Sequence, residues 1–189
     1  MIKIGILGDI GSGKSYVAQN FGYPVFNADQ EVAKLYQQNK NVFEDLKKKL
    51  PKHIHSFPIE KKEISNAILS NKNNLNKIIK IVHVEIRKKM NIFLKKNKNK
   101  KIVILDIPLL LENKINNKTD LLVYVQSNKS NIIKRLKNRK NFNVNLLKKF
   151  KDIQYSNNYK KSKSHFVIKN HFTKKSVNDG IKYILKEIG

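Results

Sequence analysis

The residues GILGDIGSGKSY, Gly5 to Tyr16, decide how the rest of this chain is read. They contain Gly8-x-x-x-x-Gly13-Lys14-Ser15, which follows the apolar run IKIGIL (Ile2 to Leu7) and precedes a helical pattern over Lys14 to Phe21. A strand, a glycine-rich turn and a helix in that order make a phosphate-binding loop, or P-loop. The glycines permit unusual backbone angles. With no side chains in the way, backbone N–H groups turn inward onto phosphate oxygens. The helix starting near Lys14 adds its positive end. On this reading Gly8, Gly11, Ser12, Gly13, Lys14, Ser15 and Tyr16 hold a nucleotide. Lys14 reaches the β- and γ-phosphates, and the Ser15 hydroxyl is placed to ligate Mg2+. Asp9 repels phosphate, so its side chain is expected to turn to solvent.

The rest of the chain supplies a sheet for that loop. Pro24 to Asn27, Lys101 to Ile107, Asp120 to Gln126 and His165 to Lys169 read as further short buried strands. Helical patterns fill Asp29 to about Lys49, Lys61 to Leu69, Asn74 to Leu94, Lys129 to Lys140, Val144 to Tyr155 and Thr173 to Ile188. Strands separated by helices predict an α/β fold: a parallel five-stranded sheet in three layers, with helices on both faces.

Composition narrows the partners. The chain has 189 residues, 40 Lys+Arg against 14 Asp+Glu, a net charge of +26 and no cysteine. No apolar run approaches the ~18 residues of a membrane helix. No signal-peptide pattern opens the chain, and disulfides are excluded, so a cytoplasmic protein is expected. The charge invites a nucleic-acid reading. However, the lysines are scattered with asparagines, as in KKNKNKK (Lys95 to Lys101), and arginine is scarce. That pattern fits codon bias better than a binding surface, so nucleic acid is not the expected partner.

A P-loop names no reaction. Asn128-Lys129-Ser130-Asn131 lacks the aspartate that reads guanine, which weighs against a GTPase. A remodelling ATPase is usually larger. A small-molecule kinase remains, and such an enzyme needs carboxylates at strand ends, where the ligand crevice opens. Asp29 follows the second strand and suits either orienting an acceptor hydroxyl or capping a helix. Asp106 ends the strand KIVILD and suits either Mg2+ or a turn.

Several segments, in order, resemble the dephospho-coenzyme A kinase family. IGILGDIGSGKS resembles Ile-Gly-Leu-Thr-Gly-Gly-Ile-x-Ser-Gly-Lys-Ser. PVFNAD (Pro24 to Asp29) resembles Pro-Val-Ile-Asp-Ala-Asp, with Asp29 on the catalytic aspartate. VHVEIRKKM (Val82 to Met90) resembles His-Pro-x-Ile-Arg, LDIPLLLEN (Leu105 to Asn113) resembles Val-Pro-Leu-Leu-Phe-Glu, and KRLKNR (Lys134 to Arg139) resembles Lys-Arg-Leu-x-x-Arg. Gln154, Lys160 and FVIKN (Phe166 to Asn170) continue the match.

The resemblance implies ATP with Mg2+ as cofactors and dephospho-coenzyme A as the small-molecule substrate, phosphorylated on its ribose 3′-hydroxyl. It implies one domain over residues 1–189, with a helical substrate-binding insert at about 30–100 and a helical lid at about 138–160. Asp29, Lys14 and Arg139 would be catalytic. Asp29, His83, Arg87, Pro108, Leu109 and Glu112 would face the acceptor. Arg135 and Arg139 would close over the nucleotide phosphates, and Ser15 and Asp106 would hold the metal. Either a monomer or a homo-oligomer is compatible. The chain departs from the family at Asn27, Val84, Phe150, His165 and Lys169.

Overall fold

A computed structural model of the chain describes residues 1–140 and 142–189. They form two compact units. The sheet unit comprises Met1–Asn27, Leu94–Phe142 and Gln154–Gly189; the helical unit comprises Ala28–Phe93 and Asn143–Ile153.

The sheet unit carries β1 (Ile2–Gly8), β2 (Val25–Asn27), β3 (Ile102–Asp106), β4 (Leu121–Gln126) and β5 (Phe166–Lys169), all parallel, in the order β2-β3-β1-β4-β5. Its helices are α1 (Lys14–Asn20), α6 (Lys129–Lys137), α8 (Asn157–Ser162) and α9 (Lys174–Glu187). Every residue of β3 is buried, which is why it reads as an unbroken apolar run rather than an alternating one.

Ile4 and Ile6 of β1 pack in one cluster with Val17, Ala18 and Phe21 beside α1 and with Val177, Ile181 and Ile184 of α9. Full burial of each Val, Ile or Phe side chain among them contributes about 1.5–3 kcal/mol. Between the two isoleucines, Gly5 points to the other face. A Cβ there would lie 2.5 Å from Leu110 Cδ2, so any larger residue would force the Leu110 side chain to move. Helix α8 also packs on β1. The expected sheet with helices on both sides is therefore present. Because β2 and β3 lie to one side of β1 and β4 and β5 to the other, chain connections diverge at β1. The carboxyl end of such a strand is where α/β sheets open a ligand crevice.

The helical unit contains α2 (Ala28–Gln38), α3 (Lys40–Lys49), α4 (Lys61–Ser70), most of α5 (Asn74–Lys96) and α7 (Val144–Asp152). Leu35, Val42, Leu46, Ile64, Ile68, Ile78, Val82 and Ile86 are its buried stripes, and α4 packs against α7. Glu63 ties down the loop before α4. Its carboxylate accepts from the backbone N–H of His55 (2.8 Å), Ser56 (3.2 Å) and Glu60 (3.2 Å), and from Ser56 Oγ (3.2 Å).

Two helical segments differ from the sequence expectation. The run from Asp29 to Lys49 is two helices, because Asn39 leaves the helical conformation and caps α3, accepting from Val42 N at 3.0 Å. The run from Val144 stops at Asp152, and Ser156 then caps the short α8. Of the segment 138–160, residues 143–153 belong to the helical unit and the remainder to the sheet unit. Among the described residues, no helix is long and apolar enough to cross a membrane.

Candidate active site

In the sheet unit the glycine-rich loop follows β1 and ends in α1. Gly13 caps α1 at φ 91°, and a Cβ on it would lie 2.5 Å from Asn170 Nδ2. An L side chain there is disfavoured twice, by backbone conformation and by contact. The loop is anchored at the Ser12 carbonyl, which accepts from Ser127 Oγ and from Asn170 Nδ2, both at 2.9 Å. Ser12 N donates to Asp9 O at 3.1 Å. The Ser12 hydroxyl is buried with its hydrogen-bonding capacity unspent. Lys14 folds over the loop, its Nζ donating to Asp9 O at 2.8 Å and Gly8 O at 3.3 Å. Ser15 is half-buried and Tyr16 exposed, both in the first turn of α1.

The side chain of Asp9 does not turn away into solvent. It is half-buried, and its Oδ1 accepts from Ile10 N at 2.7 Å. Its charge also reaches two neighbours. Tyr124 is pushed up, first by burial and then by Asp9. Burial pushes the Lys160 ammonium down, against the charges of Glu112 and Asp9 that hold it up.

Asp106 is buried at the end of β3, where the strand register pairs it with Asn27 of β2. Asn27 Nδ2 donates to Asp106 Oδ2 at 2.7 Å. This gives the family departure at Asn27 a physical sense, since an ionised aspartate there would have no proton to donate. Pro108 and Leu109 are half-buried in the turns after β3. Glu112 has one carboxylate oxygen committed: Oε1 accepts from Tyr155 N at 2.9 Å and lies 3.7 Å from Lys160 Nζ. Arg135, on α6, stacks on the Phe172 ring at 4.5 Å. Arg139 lies exposed just beyond α6.

In the helical unit Asp29 lies exposed in the first turn of α2, where a carboxylate favours the helix terminus. His83 and Arg87 lie one turn apart on α5. Burial, and then the Arg87 charge, hold His83 below the ordinary imidazole value. Among the other departures, Val84 and Phe150 are exposed on α5 and α7, and His165 Nδ1 accepts from Leu122 N at 3.0 Å.

Sequence reasoning missed Ser127 and Phe172, and it matched Asn170 and Lys160 without a role. The available signal was slight: an asparagine directly after an apolar strand, and one lysine among many.

Comparison with known proteins bears on the whole chain. A family model described as dephospho-CoA kinase (CoaE) matches residues 2–175. The dephospho-CoA kinase of Wolbachia pipientis wMel is 32% identical over 190 residues, covering 98% of this chain and 97% of its own. The crystal structure of TT1252 from Thermus thermophilus superposes with a TM-score of 0.79 at 25% identity, covering 100% of this chain and 98% of that one. Dephospho-CoA kinase from Campylobacter jejuni shares the fold, with a TM-score of 0.63 at 21% identity over 99% of this chain and 97% of that one. With a glycine-rich loop pinned at Ser12, a buried carboxylate at the end of β3 and a family match over nearly its full length, this chain belongs to the dephospho-CoA kinase family.

Proposed function

We propose that the residues gathered at the loop, together with Asp29, His83 and Arg87, carry out the family's reaction, the ATP-dependent phosphorylation of dephospho-CoA that completes coenzyme A synthesis. The anchored loop carries this reading. Its backbone is held from outside through the Ser12 carbonyl, which fixes the path of the loop before any phosphate arrives. Lys14 exchanges its two backbone carbonyls for β- and γ-phosphate oxygens. Arg135 and Arg139 then close over the triphosphate as the lid of about 138–160 comes down, and exclude water from the transfer.

The acceptor is gripped by the helical insert of about 30–100. Arg87 presents a planar fork to a phosphate of dephospho-CoA. His83, its pKa lowered by burial and by Arg87, offers a hydrogen bond beside it. Pro108, Leu109 and Glu112 line the acceptor side. Asp29 orients the ribose 3′-hydroxyl and takes its proton as the oxygen attacks the γ-phosphorus. The bond to the β,γ-bridging oxygen breaks and ADP leaves.

Mg2+ suits this set of donors. Among the described residues no group of three or more His, Cys, Asp or Glu gathers as a metal cage. A hydroxyl at Ser15 and a carboxylate at Asp106 are what an ion arriving with the phosphates requires, because Mg2+ takes few protein ligands and keeps its remaining ones from phosphate and water. When bound, it would neutralise charge developing on the β- and γ-oxygens. The setting we propose is the cytoplasm.

The test is ADP release by the purified protein with Mg-ATP, alone and with dephospho-CoA, AMP, CMP, shikimate or RNA. Strong stimulation by dephospho-CoA alone is expected. Stimulation by another member of the panel and not by dephospho-CoA would refute the acceptor assignment. Asp29→Asn is expected to lower kcat by about 10²–10⁴-fold, the span of general-base catalysis, with little change in the KM for ATP.

A further inference from the structure

Reading the Gly8–Ser15 loop as the triphosphate site leaves one buried cation among the described residues without a role. Lys160 is only 3% exposed, in a chain of net charge +26. Burying an ammonium is costly unless its charge and its protons are both satisfied. Its Nζ donates to Gln154 Oε1 at 2.7 Å and lies 3.7 Å from Glu112 Oε1. Glu112 in turn receives Tyr155 N, so the carboxylate facing the ammonium is itself held in place. Helix α8, which bears Lys160, packs on β1, the strand that runs directly into the loop. The next residue after β1 is Asp9, whose carboxylate opposes any phosphate the loop receives and whose field reaches Lys160.

We propose that Lys160 is a positioning residue of the phosphate site: its buried ammonium fixes Glu112 and Gln154 and offsets the carboxylate of Asp9, so that the loop keeps a net attraction for triphosphate. Lys160 does not touch the nucleotide in this scheme. It acts through the neighbouring carboxylates, and a carboxylate at position 9 is tolerated because a lysine stands at position 160. A helix-borne lysine buried only for packing would have no dependence on the residue at position 9.

The inference rests on the loop being the triphosphate site, and the experiment separates the two. ATP KM and kcat are measured with saturating dephospho-CoA for the wild type, Lys160→Met, Asp9→Asn, the double variant and Lys14→Met. Asparagine keeps the Oδ1 acceptor for Ile10 N and removes the charge. Lys160→Met is expected to raise the ATP KM about tenfold in the wild type and less than about threefold in the Asp9→Asn background, a coupling of the size seen within one charge network. Asp9→Asn alone is expected to lower the ATP KM about threefold, and it decides the matter if Lys160→Met fails to fold. An equal effect of Lys160→Met in both backgrounds, or an Asp9→Asn enzyme whose ATP KM is unchanged or raised, overturns the role of Lys160 while a dead Lys14→Met leaves the loop reading intact. A fully active Lys14→Met overturns both.

Discussion

The two units of this molecule hold charge in opposite ways. In the sheet unit the polar groups around the loop are fixed by partners: Ser127 and Asn170 on the Ser12 carbonyl, Asn27 on Asp106, Gln154 and Glu112 on Lys160. In the helical unit Asp29 and Arg87 lie exposed on helix surfaces, and the carboxylate with the fullest set of donors, Glu63, holds a loop. The contrast fits the roles we propose for the two units. Stabilising charge on a transferring phosphoryl group demands dipoles set in advance. Gripping a flexible acceptor demands side chains that solvent and substrate can both reach.

The largest effect expected from breaking this contrast is at Lys14. Lys14→Met should lower kcat by at least about 10²–10³-fold, the range for removing one preorganised stabilising group, with an unchanged melting temperature. A comparable fall in melting temperature would mean that the lysine serves the fold more than the reaction.

Asn170→Ala comes next. It removes one of two donors to the Ser12 carbonyl and the acceptor for Phe172 N, all close to the loop. Urea unfolding should show a loss of about 1–3 kcal/mol, the cost of leaving buried polar groups unpaired, together with a raised ATP KM. Full stability would show that the loop does not depend on its anchor.

The helical unit should answer to pH instead. Burial works to raise the Glu63 carboxyl, but its backbone and Ser56 donors outweigh this and hold it below its ordinary 4.5. As pH falls, the unfolded chain takes up the proton first. Stability from this group is thus present above the ordinary carboxylate range and lost as pH falls through the folded value. Glu63→Gln should flatten that part of the stability profile, measured by urea unfolding between pH 3 and 6; an unaltered slope would remove Glu63 as its source.

The smallest effect is at His83, whose pKa lies below its ordinary 6.5. Between those values the unfolded chain binds a proton that the folded chain refuses, so stability should decline as pH drops through 6.5 and level off below the folded value. His83→Gln should remove that decline, and a decline that persists would assign it to another group.

The parts of this structure that could be read from sequence are those with local causes. Buried parallel strands show as continuous apolar runs, and the loop shows as glycines at fixed spacing between a strand and a helix. What escaped reading depends on distant partners. Asn170 is 158 positions from the carbonyl it holds. Lys160 looks like any other lysine until α8 folds onto β1. The break at Asn39 is local, yet the apolar spacing on its two sides stays close enough to helical to hide it. Asp9 misled for a different reason: its carboxylate folds back onto its own backbone and accepts from Ile10 N.

The strand order carries a consequence for synthesis. The central strand is made first, yet Ile2 pairs with Ile102 and Ile4 with Leu121. At roughly 5–20 residues per second on the ribosome, about 5–20 s separate the emergence of β1 from that of its first permanent neighbour. During that interval an apolar segment with both edges unpaired is available to any passing strand. The nascent chain therefore faces its greatest aggregation hazard before the sheet unit can begin to close, and any pause in translation between α1 and β3 would prolong it.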